Sequence, residues 1–320
     1  MKPAQEAHAG SPREDPEFRS GFVALVGRPN VGKSTLLNRM VGHKVSIISD
    51  RPSTTRWRIH GVRDLESAQI VLVDTPGIHR PRGPLGRHLD LVATSSLEDA
   101  DLVVMVVDAS EPIGPGDRYI ASRVPPDCIV ALNKIDRLRP PRILERLAEV
   151  SRLPFGSLWE QSAPAHEPGS PHEPASVPEE APEEVPVSAR SGDGVELLLS
   201  LIAKRLPPGP RLYPPGTVSD LDDDFVLAEL VREQLLTFLG DELPQSIACR
   251  VIDAEPGYAK CEILVERPSQ RQIVMGKNAR RLNEVAKRVT RQLPVPTLLE
   301  LRVRVEPDFR RRYSEVLGPE

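Results

Sequence analysis

The run Gly27-Arg28-Pro29-Asn30-Val31-Gly32-Lys33-Ser34-Thr35 constrains this chain more than any other feature. It lies between a short apolar run, Phe22–Val26, and a helical pattern, Ser34–Val41. Two glycines separated by four residues, with Lys-Ser after the second, let a backbone curl until successive N–H groups converge on an anion. The helix that follows adds the positive end of its dipole. Lys33 can neutralise the outer phosphates of a nucleotide, and the Ser34 hydroxyl can ligate Mg2+. With average residue usage such a pattern arises by chance in roughly one chain of this length in a hundred.

The setting turns the motif into a fold. The apolar runs Phe22–Val26, Ile70–Val73, Leu102–Val107 and Ile129–Leu132 are short and rich in Val, Ile and Leu, as strands buried on both faces must be. Helical patterns at Ser34–Val41, Leu85–Leu97 and Pro141–Val150 separate them. The alternation predicts an α/β P-loop NTPase domain, a mostly parallel sheet with helices on both faces.

Three further elements fall at strand ends, the edge where open α/β sheets place ligands. Asp74-Thr75-Pro76-Gly77 offers a carboxylate that can reach Mg2+ through water and a Gly77 N–H for the γ-phosphate. Asn133-Lys134-Ile135-Asp136 offers a carboxylate that can accept from N1–H and the exocyclic amine of guanine, donors adenine does not present together. Ser188-Ala189 can direct a backbone N–H at guanine O6. Together they point to GTP as substrate, with Mg2+. Thr54 and Thr55 lie between the phosphate loop and Asp74; a Thr there ligates Mg2+ only while a γ-phosphate holds the segment. Spacing leaves the choice between them open. With Lys33 and Gly77 they are the candidate catalytic residues. Ile78 stands where Ras-type switches carry a water-orienting Gln, and an aliphatic side chain orients no water, so slow intrinsic turnover is expected. Asn30 is a candidate to hold a K+ near the β/γ bridge, and equally a plain loop former.

The length of 320 residues suits about two domains. Residues 1–20 read as a disordered tail, 21–206 as the nucleotide domain, 207–216 as a Pro-rich linker, 217–307 as a second domain and 308–320 as a C-terminal tail. Within the first domain, residues 156–186 hold seven prolines and seven glutamates with no Lys or Arg, a composition that buries no core and reads as a disordered spacer or, second, as a docking segment for a partner or for the chain's own basic surface. In the second domain, Phe225–Leu239 reads as a helix, Ser246–Asp253 and Ala259–Glu266 as strands, Gly276–Ala279 as a turn, Arg280–Leu293 as a helix and Leu298–Val305 as a strand. This is a small α+β unit. The N-terminus has no apolar signal-peptide core, and the longest apolar run is far short of the roughly 20 residues a spanning helix needs. Cys128, Cys249 and Cys261 are too few and too scattered for a disulfide frame or a metal site, which fits a reducing compartment.

The formal charge of −4 averages unlike regions. From Ser269 to Arg312 twelve Lys and Arg stand against four Asp and Glu, a net of +8 on an acidic chain. That asymmetry suits a phosphate-backbone partner.

These residues resemble the Era family of bacterial GTPases with a C-terminal KH domain. The resemblance runs through GFVALVGRPNVGKSTLLNRMVGHKVSIIS, TTRWRIHGV, LVDTPGIH, LGRHLDLVATSSLEDADLVVMVVD, ALNKID and AELVREQLLTFLGDELPQSIACRV, from Gly21 to about Val305. It implies GTP hydrolysis, Mg2+ dependence and a type II KH fold. It also implies binding near the 3′ end of 16S rRNA during 30S assembly by a cytoplasmic protein, expected as a monomer, that is sometimes found peripherally at the inner membrane face. Two departures stand out. The acidic Pro-rich stretch is longer than the family's connection, and the family's Gly-Lys-Gly-Gly loop reads Gly276-Lys277-Asn278-Ala279 here. KH domains bring such a loop's backbone against phosphates, and the Ala279 methyl is expected to hinder that approach or the backbone angles it needs. Gly276, Lys277, Asn278, Ala279, Arg280, Arg281 and Lys287 are the candidate RNA contacts. The competing reading is a GTP-dependent signalling or interaction module with a degenerate KH domain.

Overall fold

The computed structural model describes residues 17–48, 55, 57–78, 93–159, 182–239, 247–276 and 279–307. Among them six strands form one sheet in the order β2-β3-β1-β4-β5-β6. These are β1 Arg19–Val26, β2 Ile59–Asp64, β3 Ala68–Asp74, β4 Leu102–Asp108, β5 Ile129–Asn133 and β6 Glu183–Pro186. All neighbours are parallel except β2, which runs antiparallel to β3. Alternation along each strand sends side chains to two cores. Val23, Leu25, Val104 and Val106 meet Leu36, Leu37 and Met40 of α1 (Lys33–Val41) and Leu198 and Ile202 of α4 (Val195–Arg205). Ala24, Val26, Met105 and Val107 meet Ala93, Leu97, Ile120 of α2 (Pro115–Ala121) and Val150 of α3 (Pro140–Val150). Helices therefore cover both faces, as the sequence predicts.

The second domain orders its strands β7-β8-β9 (Ile247–Glu255, Tyr258–Val265, Leu298–Val305), the first pair antiparallel and the second parallel. Among the described residues three helices pack on it: α5 Asp223–Leu239, α6 Pro268–Met275 and α7 Arg280–Thr290. The sequence reading missed α6, whose Pro268 start and eight-residue length leave little periodicity to detect. It also missed β2, a half-polar edge strand, and α2.

Three expected boundaries shift. The tail of 1–20 ends earlier, because Phe18 is buried and Arg19 and Ser20 open β1, paired with Ala68 and Gln69. The spacer of 156–186 is shorter. Gly156 and Leu158 donate backbone N–H to Ala121 and Ser122 carbonyls, and Glu183–Pro186 forms the sheet's edge strand beside Ile129–Leu132. An edge strand tolerates Pro and Glu because one side of its ladder is unpaired.

The linker of 207–216 is no free spacer. Gln69, fully buried, accepts the N–H groups of Leu212 (2.7 Å) and Tyr213 (2.9 Å) and donates to the Tyr213 carbonyl (2.9 Å). Asp64 accepts from Gly216 N–H (2.9 Å), and Arg211 lies over the Phe18 ring. The strap continues to Val218, whose carbonyl accepts from Val62 N–H, and to Ser219, which donates to His60 O. The remaining residues of the two tails, the spacer, Thr54, Lys277, Asn278 and most of the predicted helix Leu85–Leu97 lie outside the described residues.

Candidate nucleotide site

The phosphate loop leaves β1 at Val26 and enters α1 at Lys33. Both glycines are required by space and by angle. A Cβ on Gly27 (φ +158°) would stand 2.4 Å from Val106 O, and one on Gly32 (φ +99°) 2.4 Å from Asn133 Nδ2. Asn30 also holds a left-handed backbone, φ 66°, which Asn tolerates better than most residues. Lys33 curls back over the loop, its Nζ donating to Gly27 O (3.3 Å) and Arg28 O (3.2 Å). Burial pushes its ammonium down to about 8, against the opposing pull of Asp74. Arg28 contributes backbone only, since its guanidinium turns away to Glu111 (3.0 Å) and Asp117 (3.0 Å). Val31 faces the core, and Thr75 is spent on a hydrogen bond to Leu25 O (2.8 Å).

Around Asp74 the fold gathers hydroxyls. Asp74 Oδ2 accepts from Ser34 Oγ (2.6 Å), Ser46 Oγ (2.7 Å) and Thr55 Oγ1 (3.1 Å), and Ser34 and Thr55 lie 3.1 Å apart. Asp74 Oδ1 is buried and has no hydrogen-bond partner among the described residues. A donor set made only of hard oxygens, with one carboxylate oxygen to spare, fits Mg2+. Of the two candidate threonines, Thr55 is in this cluster.

The opposite wall comes from the ends of β5 and β6. Asn133 donates to Val31 O (2.9 Å). Lys134, at φ 66°, spans to Asn30 O (2.7 Å) and Asp108 Oδ2 (2.5 Å). Burial would raise the Asp108 carboxyl, but hydrogen bonds from Lys134 and Ser110 hold it below its ordinary value. Asp136 is exposed, with one oxygen accepting from Ser188 Oγ (2.7 Å). The amides expected to face a base are engaged here. Ala189 N–H donates to Asn133 Oδ1 (3.0 Å) and Ser188 N–H to Asp193 O (2.8 Å), because the turn after β6 folds back on β5.

Between the walls lies a cavity of about 230 Å3 lined by Pro29, Asn30, Gly32, Lys33, Ser34, Thr35, Ile47, Ile48, Thr55, Gly77, Asn133, Lys134, Asp136, Arg137, Ala189 and Arg190. Gly77 sits hard against the phosphate loop, where an added Cβ would come 2.7 Å from Pro29 N. Pro76 is buried beside it. Ile78 is 5% exposed and packs into the core with Ala24 and Val26, so it faces away from the cavity.

Sequence reasoning missed Ser46, Asn38 and Asp108. A Ser among apolar residues carries no motif; only the return of residues 43–48 to β3 makes it a partner of Asp74.

In the second domain a cavity of about 470 Å3 runs between β9 and the helices, lined by Arg271, Met275, Ala279, Leu282, Glu300, Arg302 and Arg304 among others. Gly276 takes φ 66° and ψ −179°, a region open essentially to glycine alone. Ala279 takes φ 54° and ψ 18° at the N-cap of α7. Its methyl therefore sits in a left-handed backbone that it strains without preventing. Arg280 and Lys287 are exposed. Arg281 is turned inward, donating to Ile273 O at the end of α6.

Sheet order, phosphate loop and oxygen cluster together define a P-loop nucleotide-binding protein. A family profile described as 50S ribosome-binding GTPase matches residues 22–134. The chain is 41% identical to GTPase Era of Nocardioides sp. over 316 residues, 92% of this chain and 94% of that one. To GTPase Era of Mycolicibacterium paratuberculosis it is 38% identical over 309 residues, 92% and 95% of the two chains. A crystal structure of Era with MgGDPNP and nucleotides 1506–1542 of 16S ribosomal RNA superposes with a TM-score of 0.81 at 36% identity, covering 94% of this chain and 99% of that one. A point variant of Aquifex aeolicus Era bound to GDP and AlF4− gives the same TM-score, identity and coverage. The chain belongs to the Era family of GTPases.

Proposed function

We propose that this chain binds and hydrolyses GTP in the cavity between the phosphate loop and the β5–β6 turns, and that its nucleotide state governs RNA binding by the second domain during small-subunit assembly. The observation that carries the reading is the cluster of Ser34, Thr55 and Asp74 beside Lys33, set at the C-terminal ends of the parallel strands β1 and β3. Ser34, Asp74 and Thr55 would hold Mg2+, which supplies charge neutralisation between the outer phosphates. Lys33 and the N–H groups of Asn30 to Thr35 bind the phosphates, the exposed oxygen of Asp136 reads guanine, and Lys134 ties the base-side turn to the phosphate loop.

Buried Ile78 takes no part in orienting water, so the nucleophile is positioned by backbone around Gly77 and by the Thr54-Thr55 segment, with Asn30 as the candidate to help hold a K+. The second domain, spanning about 217–307, meets RNA along the groove between β9 and α6–α7. Arg271, Arg302 and Arg304 line it and Arg280 and Lys287 flank it. The Era relative holding 16S RNA supports this assignment, and the basic groove disfavours a purely protein-binding module. We take the acting species to be a cytoplasmic monomer with peripheral access to the membrane.

Phosphate release from GTP, crosslinking to RNA in cells and light scattering test the proposal. Hydrolysis lost in Lys33→Ala, with enrichment of the 16S 3′ end, supports it. A chain that binds GTP yet crosslinks to no ribosomal RNA refutes the second half.

A further inference from the structure

Residues 43–48 connect α1 to the region of Thr55 and are held from three sides. From α1, Asn38 Oδ1 accepts the N–H of Val45 (2.8 Å) and Ser46 (2.9 Å), and its Nδ2 donates to Ser46 O (2.7 Å). From the site, fully buried Ser46 donates its hydroxyl to Asp74 Oδ2 (2.7 Å). From the second domain comes Glu233 of α5, which is 5% exposed. Its Oε1 accepts the Ile48 N–H (2.8 Å), and its Oε2 pairs with Lys44 Nζ (2.5 Å). Lys44 also donates to Gln292 Oε1, 2.7 Å away beyond the end of α7. A buried carboxylate is costly unless its partners are fixed, and all the contacts named for Glu233 across the boundary lie on this one loop.

We infer that Glu233 is a positioning residue for the nucleotide site, acting across the domain boundary through residues 44–48 on the Ser46–Asp74 hydrogen bond. The inference rests on the reading that Ser34, Thr55 and Asp74 hold the nucleotide's Mg2+. With Glu233 in place, Ile48 N–H and Lys44 fix one end of the loop while Asn38 fixes the other, so Ser46 has a single register against Asp74. When α5 moves, the outer end is released and the Ser46 hydroxyl no longer holds Oδ2. Coupling of this kind is reciprocal. Whatever ligation does to Asp74 is returned to α5, and so to the helices that line the RNA groove.

The test uses the full chain and a fluorescent GTP analogue, titrated at stepped Mg2+ concentrations. Glu233→Gln keeps the shape and an acceptor for Ile48 N–H but removes the charge that holds Lys44. It is expected to raise the Mg2+ concentration at half-maximal nucleotide binding by about threefold or more. Ser46→Ala is expected to raise it by about tenfold, as loss of a partner to a metal-holding carboxylate does. The double variant should be no worse than Ser46→Ala alone, because both act on one hydrogen bond. Lys44→Gln should shift the midpoint in the same direction, and carries the test if Glu233→Gln melts early.

A Mg2+ midpoint unchanged in both outer variants, or effects that simply add in the double, overturns the inference. Lys33→Ala separates the two levels. If it binds the nucleotide as the native chain does, the underlying site reading fails. If it loses the nucleotide while Glu233→Gln and Lys44→Gln change nothing, only the coupling fails.

Discussion

Replacing Ala279 by glycine should both stabilise the second domain and tighten its hold on RNA. Ala279 sits at φ 54° and ψ 18°, in the left-handed region, where a Cβ crowds the following carbonyl. That crowding costs a residue other than glycine about 1–2 kcal/mol. Against this, glycine loses more freedom on folding, roughly 0.5–1 kcal/mol relative to alanine. The balance favours Ala279→Gly by about 0.5–1 kcal/mol, or roughly 2–8 °C in Tm for a unit of this size unfolding by itself. Differential scanning calorimetry would show the second-domain transition moving up while that of the nucleotide domain stays in place.

The same change removes a methyl from the wall of the groove, so a mobility shift with a 16S 3′-end oligonucleotide should show higher affinity. An unchanged or lowered transition would mean that Ala279 carries no strain, and the argument from its backbone angle would fall. Stabilisation without any gain in affinity would mean that the methyl does not face the RNA backbone.

Three other outcomes follow from named groups. Lys33 has its ammonium lowered from 10.5 to about 8, so between those values the unfolded chain holds more protons and this group makes stability rise with pH. Phosphates bound beside Lys33 favour its charged form, so this group should take up a sizeable fraction of a proton on nucleotide binding at pH 8.5 and far less at pH 7.0, measured by calorimetry in buffers of different ionisation enthalpy. Gln69→Leu strips the partners from the N–H groups of Leu212 and Tyr213 and from the Tyr213 carbonyl. Leu212 is exposed and Tyr213 half-buried, so water replaces part of what is lost; at about 0.5–1.5 kcal/mol for each hydrogen bond removed, the strap should loosen and tryptic cleavage after Arg211 should speed up about threefold or more. If Asn30 helps to hold a K+, GTP hydrolysis should run faster in KCl than in NaCl, and equal rates would remove the ion from the mechanism.

Much of the first domain was legible because its strands are buried on both faces. Phe22–Val26 and Leu102–Val107 could be nothing else, and glycines at 27 and 32 with Lys33 and Ser34 specify a backbone shape rather than a surface. What could not be read had no local signature. Strand β2 carries His60, Arg63 and Asp64 on a sheet edge, α6 is eight residues long, and Glu183–Pro186 resembles the acidic stretch before it.

The sequence by itself determined the nucleotide chemistry. Asp74, Asn133 and Asp136 follow strands whose order the alternation already implied, and parallel strands deliver their ends to one edge. Tertiary structure alone decided which hydroxyls reach Asp74, because Ser34, Ser46 and Thr55 are 12 and 9 residues apart along the chain and meet only when residues 43–48 fold back to β3. It also decided that residues 207–216 are a strap and that Glu233 faces Lys44. A pairing between residues 189 positions apart leaves no trace in local pattern, since neither side chain's neighbours in sequence record what packs against it.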